Sequence, residues 1–286
     1  MIPQIIHYCW FGGKPLPDDV KRYIASWRKY CPKYEIKEWN ESNFDINQND
    51  YCKKAYAEKR WAFVADYARV KILHDYGGIY MDTDVELIRP FNNLLEYDAF
   101  MCFESDDAVS IGTFGSVKNL DLLTDLLETY DHLRFEWNDS HMVTNLMILT
   151  NLLVKKYNLK CNGMKQILSR NIAIFPMEAF IAKDYTTGWI MMNEETYAIH
   201  HYAASWQDET SRRMAERKAY YLRRYLRQVQ KPLERLASCR IAYDDGGMIG
   251  LIRKIISHFY MGGVKDQNKY FFQMIHNLFL SAGVLL

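Results

Sequence analysis

The stretch from Trp61 to Asp84 constrains the fold more than any other part of the chain. Apolar residues at 61, 64, 65, 68, 72, 73 and 76 recur at helical spacing and form one stripe. Gly77-Gly78 then stops the helix in the way a left-handed glycine cap would. Ile79-Tyr80-Met81 follows as a short apolar strand and runs directly into Asp82-Thr83-Asp84. A helix handed to a buried strand across two glycines is part of an α/β unit. It leaves two carboxylates at the C-terminal end of a strand, the edge where ligands collect in open α/β sheets.

The flanking sequence repeats the alternation. Ile2 to Phe11 is apolar and β-rich up to Gly12-Gly13. Pro17-Asp18-Asp19 starts a helix whose Val20, Tyr23, Ile24, Trp27 and Tyr30 share a face until Pro32, and Tyr34 to Trp39 alternates with period two. Downstream, Ala99 to Phe103, Ile172 to Phe175 and Thr196 to His200 read as strands, and Leu120 to Tyr130 and Met142 to Tyr157 as helices. The pattern predicts an α/β class. Glu209 to Leu236 is a long basic helical stretch, followed by apolar segments around Ile249 to Phe259 and Tyr270 to Leu280.

A length of 286 residues predicts one core with an appendage. With 49% hydrophobic and 25% charged residues, disordered and collagen-like chains are excluded. Unbroken apolar runs fall far short of the ~18 residues a spanning helix needs, so no transmembrane helix is expected. The first residues lack a basic start and a cleavage site, which predicts a cytoplasmic protein without a signal peptide. Cysteines at 9, 31, 52, 102, 161 and 239 have no zinc-knuckle or redox spacing and are expected to be free thiols. The net charge of +1 gives no reason to expect nucleic acid, but its distribution is uneven. Residues 1–206 hold 22 Lys and Arg against 28 Asp and Glu, and residues 207–286 hold 14 against 7, so an acidic body carries a basic tail.

Asp82-x-Asp84 is the sharpest local feature, because alternate residues leaving a strand can present carboxylate oxygens to Mg²⁺ or Mn²⁺ bridging a diphosphate. A bare Asp-x-Asp also occurs as a solvated acidic turn, and its place after Gly-Gly-Ile-Tyr is what favours the metal. Asp66 and Arg69 lie three apart and share a helix face. They are either an ordinary ion pair, or Asp66 accepts sugar or ribose hydroxyls while Arg69 offers fixed charge to phosphate. His200-His201 with Ser205-Trp206 can complete a metal shell and meet a ring or phosphate; it can equally be a capped strand end with a core tryptophan. Trp10 and Phe11 either flank a base or belong to the core. Gly13-Lys14 is no phosphate loop, since Tyr8 occupies the required upstream glycine position and Pro15 stands where Ser or Thr should bind magnesium. Asp82 to Glu86 resembles the nucleophile loop of haloacid-dehalogenase phosphatases except at Glu86, which keeps a metal-dependent phosphohydrolase or nucleotidyltransferase open.

Four segments in order carry a resemblance: Ile5 to Gly13, Trp61 to Arg69, Gly77 to Asp84 and His200 to Trp206. Together they resemble the glycosyltransferases of family 32, the DXD-motif proteins that include bacterial capsular and exopolysaccharide transferases. They are also similar to yeast α-mannosyltransferases and the glucosylating domains of clostridial toxins. The resemblance covers residues 1–206. It implies a GT-A type domain with a mixed, mostly parallel central sheet, and leaves 207–286 as a basic helical extension. It also implies a nucleotide-sugar donor (a UDP- or GDP-sugar), Mn²⁺ or Mg²⁺, a glycan acceptor and retention of anomeric configuration. By position it puts Trp10 at the base, with Phe11, Gly12 and Tyr80 also at the donor. Asp66 and Arg69 fall at the sugar and diphosphate, Asp82 at the ribose and metal, Asp84 and His201 on the metal, and Trp206 on the phosphate. Val64-Ala65 departs from the family's usual Val-Ser, and Met81 from its usual Leu.

If the front-face route of a retaining transfer applies, the departing phosphate takes the acceptor's proton. A double displacement would instead need a carboxylate, for which Glu104, Asp106 and Asp107 are the candidates. The basic tail is expected either to lie on an anionic membrane surface, where a lipid-linked glycan acceptor would be met, or to pack on protein. A catalytically silent sugar-binding module would tolerate loss of Asp84 and is the further alternative.

Overall fold

A strand buried on both faces is apolar at nearly every position, and the central strands of this chain are of that kind. The structure is a computed structural model that describes residues 1–137, 144–203, 209–224 and 230–261. Strand β1 (Ile5–Cys9) leads through helix α1 (Asp18–Tyr30) to β2 (Glu35–Trp39), and α2 (Asp50–Ala57) and α3 (Trp61–Tyr76) precede β3 (Gly78–Met81) and β4 (Val85–Leu87). There follow β5 (Ala99–Ser105), β6 (Ala108–Val109), β7 (Thr113–Ser116), α4 (Asp121–His132) and α5 (Asn145–Tyr157). The body ends with β8 (Gln166–Leu168), β9 (Ile172–Phe175) and β10 (Ala198–His200).

Among the described residues, eight strands form one sheet in the order β2-β1-β3-β7-β5-β9-β8, with β6 on β5. β2, β1, β3, β5 and β9 run one way, and β7 and β8 run against them. The sheet is therefore mixed and mostly parallel, as expected. Alternation along its strands separates two cores. Ile6, Tyr8, Ile79, Met81, Phe100 and Cys102 join Val20, Ile24 and Trp27 of α1 on one side. Cys9, Tyr80, Met101 and Phe103 join α3, α4 and α5 on the other. β4 and β10 form a separate antiparallel pair that lays His200 opposite Val85, directly after Asp84.

Two details differ from the sequence reading. The first strand is shorter than Ile2 to Phe11, and α3 has no single stripe: Phe63 to Val70, Ile72 and Leu73 are all buried. α2 and α4 pack on the side of α3 that a surface helix would give to water, so the whole helix behaves as core. Its end is not a left-handed cap either. Gly77 has φ 65° and ψ −167°, and Gly78 has φ 103°, both at positive φ where a side chain would be strained. At Gly78 a Cβ would also lie 2.8 Å from His7 Nε2 and from the Ile5 carbonyl.

His7 is the pin beneath this turn. It is fully buried, its Nε2 donates to the Gly77 carbonyl at 2.9 Å, and its Nδ1 accepts from Trp39 Nε1–H at 3.1 Å. That pair of partners requires the neutral tautomer with the proton on Nε2. Burial accordingly lowers the pKa to about 4, reinforced by Lys37 and opposed by the Gly77 carbonyl.

All six cysteines are free, five of them buried and Cys161 exposed. Among the described residues no helix is long and apolar enough to cross a membrane. The chain divides into two compact units, 1–212 and 213–286. The second holds most of α6 (Glu209–Arg224) and α7 (Gln230–Met261), which breaks at Gly247. Within that unit Arg217 pairs with Asp244 and Asp245, and Arg240 Nε meets Asp244 at 3.1 Å. The segment Tyr270 to Leu280 lies outside the described residues.

Between pH 6.5 and about 4 the unfolded chain binds a proton at residue 7 that the folded chain refuses, so stability rises with pH across this window and falls on acidification. His7→Gln, which keeps a donor for Gly77 without a titrating ring, removes this contribution. Urea unfolding of both proteins at pH 7 and pH 4.5 checks it: the wild type loses about 2–3 kcal/mol more than the variant on acidification, and equal losses contradict the assignment.

Candidate active site

The parallel strands β1 and β3 end together, and the chain leaves β3 at Asp82. The Asp82 amide donates to the Gly112 carbonyl at 2.8 Å, which ties this strand end to the turn entering β7. Gly112 is required there for a reason of space, because a Cβ would lie 2.9 Å from Asp82 Oδ2 and 3.4 Å from the His200 ring.

Behind the carboxylates lies Arg69, whose side chain is 5% exposed. Its Nη2 donates to Asp66 Oδ1 at 3.0 Å, and its Nη1 is 3.2 Å from both oxygens of Asp82. Nη1 also reaches the Ile111 carbonyl at 3.2 Å, and Nε reaches Ala65 O at 3.1 Å. The guanidinium lies 4.6 Å from the centre of the Tyr80 ring, whose hydroxyl donates to Asp82 Oδ1 at 3.2 Å. Asp66 takes a further hydrogen bond of 2.6 Å from Asn145 Nδ2, at the first turn of α5. Burial pushes the Asp66 carboxyl up to about 6 despite Arg69. Asp82 is raised for the same reason, again against the pull of Arg69.

In front of Arg69, three groups converge. Ligand atoms of Asp82, Asp84 and His200 all lie within 4.8 Å of one another. His200 Nε2 is 3.1 Å from Asp84 Oδ1, while Asp84 Oδ2 accepts from the Ala203 amide at 2.7 Å and its carbonyl accepts from the His201 amide at 2.8 Å. Burial would raise the Asp84 pKa, but His200, the Ala203 amide and Asp84's own amide bring it down to about 2. His200 shows the counterpart: burial works against its charge, yet Asp84, Asp82 and Glu104 raise its pKa to about 9. Glu104, near the end of β5 rather than on the loop after it, is hydrogen-bonded to Ser110, raised by burial, and shares this field. Asp106 and Asp107 are exposed, and Asp107 accepts from Ser105 Oγ at 2.7 Å.

Residues 17–101, which include this strand end, match the family described as "Glycosyltransferase sugar-binding region containing DXD motif". This part of the chain is therefore similar to the DXD-containing sugar-binding region of glycosyltransferases. Over 145 residues, 48% of this chain and 39% of the relative, it is 28% identical to inositol phosphoceramide mannosyltransferase 3 of Schizosaccharomyces pombe. Over 77 residues, 27% of this chain and 22% of the relative, it is 35% identical to human alpha-1,4-N-acetylglucosaminyltransferase. The chain thus spans well under half the length of either. Among solved structures, the PaToxG glycosyltransferase is similar at 18% identity and a TM-score of 0.44, covering 54% of this chain and 70% of that one.

Set against the family's DXD pattern, the structure brings Asp66, Arg69, Asp82 and Asp84 into one group. The histidine that joins them is His200. His201 turns the other way, with Nε2 2.9 Å from Glu86 and its ring stacked on Tyr23 at 4.6 Å. Tyr80 and Phe11 are buried, Tyr80 beneath Asp82, which it supports from behind, and Phe11 edge-on to Phe44 in the core. Trp10 is half-buried, with Nε1 donating to Lys14 O at 2.6 Å beside a depression of about 400 Å³ that Glu38 and Asn40 also line. The Gly12 amide donates to Glu41 at 2.6 Å. Trp206 lies outside the described residues. Gly112 and Asn145 belong to the site without standing out in the sequence. A glycine between Ile111 and Thr113 was a weak sign, whereas Asn145 meets a partner 79 residues away and had none.

Arg69→Met leaves Asp66 and Asp82 buried without their counter-charge. Urea unfolding at pH 7.5 is expected to show a loss of about 3–5 kcal/mol, with Arg69→Lys intermediate because an ammonium cannot fork between two carboxylates. Wild-type stability in the methionine variant contradicts the buried network.

Proposed function

We propose that the chain transfers a hexosyl group from a nucleotide-sugar donor to a glycan acceptor, with a divalent cation and with retention of anomeric configuration. The observation that carries this reading is the meeting of Asp82, Asp84 and His200 over buried Arg69 at the end of β3. Residues 1–206 act as the transferase domain in this reading, and 207–286 as an extension.

The residues fit a divalent cation. Two carboxylates and an imidazole supply oxygen and nitrogen donors within 4.8 Å, and their negative field already favours a proton on His200. Asp84, Asp82 and His200 would hold Mn²⁺ or Mg²⁺. When bound, such an ion supplies charge neutralisation to a departing nucleoside diphosphate. Arg69 acts from behind: its donors are engaged by Asp66, Asp82 and backbone carbonyls, so it sets the direction of Asp82 and contributes a fixed positive field. Asp66, braced by Arg69 and Asn145, is the carboxylate suited to accept donor hydroxyls. In the transfer the acceptor oxygen bonds to the anomeric carbon on the face from which the phosphate leaves. The phosphate oxygen carries off the acceptor's proton, so no protein base is required. Glu104 marks the route for the alternative, a double displacement through a glycosyl ester.

The acceptor in this reading is a glycan, without a membrane surface. Arg217 and Arg240, two of the tail's cations, are paired with Asp244 and Asp245 of their own unit.

A screen of UDP- and GDP-sugars with Mn²⁺, followed by chromatography of nucleotide and sugar products, tests the reading. At least one donor is expected to yield nucleoside diphosphate and free or transferred sugar. Chelator should abolish the reaction, and Asp84→Asn should lower it by about 100-fold or more. Release of inorganic phosphate without loss of sugar would instead support a phosphohydrolase, and full activity of Asp84→Asn would remove the metal from the account.

A further inference from the structure

The first strand delivers its end to the same edge as the aspartates. Ile6 pairs with Ile79 and His7 with Tyr80 across the parallel strands β1 and β3, and Cys9 pairs with Trp39 of β2. Continued past these pairs, the register sets Cys9 level with Asp82 and Trp10 level with Asn40. The Trp10 amide still donates to the Trp39 carbonyl at 2.8 Å. Neighbouring strands lie about 4.8 Å apart, so the ends of β1 and β2 fall within about 10 Å of Asp82 along this edge. A ribose and its phosphates bridge such an interval.

The depression of about 400 Å³ at these ends has the Trp10 indole on its wall and acceptors on its rim. Both Glu38 oxygens are engaged, Oε2 by the Tyr8 hydroxyl at 2.6 Å and Oε1 by Asn40 Nδ2 at 2.9 Å. Asn40 Oδ1 accepts from the amide and the hydroxyl of Ser42. Glu41 differs. Its Oε1 accepts from the Gly12 amide and, at 3.3 Å, from the Tyr56 hydroxyl, whereas its Oε2 has no donor among the described residues. The anchor is tightly packed. Tyr56 meets the Trp61 ring edge-on at 5.1 Å, and a Cβ on Gly12 would come within 2.7 Å of that same ring. Glu41 is therefore an exposed carboxylate held at one oxygen and open at the other, beside a flat apolar ring.

An ionised carboxylate accepts hydrogen bonds and never donates them. Among the common nucleobases, guanine alone sets two donors side by side, N1–H and the 2-amino group, and both can be aimed at one carboxylate in charge-assisted bonds. Uracil sets a single N3–H between two carbonyls, whose oxygens a carboxylate repels. Lys14, also on the rim, can meet a base carbonyl; guanine and uracil both carry one, so it does not choose between them.

We propose that Glu41 selects guanine, with the base lying against Trp10, and hence that the sugar donor is a GDP-sugar. That a nucleotide lies along this edge rests on the transferase reading; the choice of base rests on Glu41.

Isothermal titration calorimetry of the full chain with Mn²⁺ tests it, with GDP, UDP and inosine diphosphate as probes. The three share ribose and diphosphate, so differences in affinity report the base. GDP is expected to bind about tenfold or more tighter than UDP, and about tenfold tighter than inosine diphosphate, which keeps N1–H and lacks the 2-amino group. Glu41→Gln keeps an acceptor for Gly12 and Tyr56 but turns the open oxygen into an N–H donor, and it should bring the three affinities within about twofold of one another. Should that variant melt early, the comparison of GDP with inosine diphosphate on the wild type reads the same contact. Equal affinity of the wild type for GDP and UDP overturns the proposal, as does failure to bind GDP or a glutamine variant that keeps the preference. Donor cleavage measured separately keeps the two ideas apart. Cleavage without a preference for GDP removes the base assignment alone, and Glu41-dependent selection of GDP without any cleavage removes the transferase alone.

Discussion

A guanidinium withdrawn from water needs carboxylates beside it to offset the cost of its desolvation, and Arg69 lies between two of them. Asp66 comes from the same helix, one turn earlier, and Asp82 from the end of the strand that follows. The pair of contacts fixes α3 against β3 at the point where the chain reverses. It also decides how Asp82 points. Without Arg69, a half-buried carboxylate beside Asp84 would face only like charge and would turn outward or take up a proton. With it, Asp82 is held so that its oxygens and those of Asp84 share one small space with His200.

Asp84 does the complementary work at longer range. One of its oxygens meets His200, the other holds the Ala203 amide, and its carbonyl holds the amide of His201. A segment more than a hundred residues downstream is thereby fastened to the end of β3 by one side chain and its own backbone. The fastened segment includes Tyr202, at φ 56°, whose ring stacks on His200 at 4.4 Å.

Much of this was legible in the sequence, for physical reasons that differ from one element to the next. The bounds of α3 and β3 were plain because Gly77-Gly78 interrupts two apolar runs of different period. The single stripe on α3 is absent because a core helix carries apolar residues on every face, and such a helix contains a one-face pattern as a subset. β7 escaped notice: four residues, one of them Gly115 packed against Phe100, are too few for a period to show. The histidine was a matter of parity. Successive residues at the end of a strand point to opposite sides, so only one of His200 and His201 can join the aspartates. The choice depends on how β10 registers on β4, a long-range pairing with no local signal. Phe11 was open between base and core, and its partner Phe44 could not be foreseen from its neighbours.

The claim on which the account turns is that Asp82, Asp84 and His200 together form the cation site. Crystals of the full chain grown with Mn²⁺ and a nucleoside diphosphate, measured at a wavelength that excites manganese, test it most directly. The account predicts an anomalous peak bonded to Asp84 and within coordinating distance of His200, with Arg69 still paired to Asp82 behind it. A peak on His201 and Glu86, or none beside the two aspartates, would contradict it.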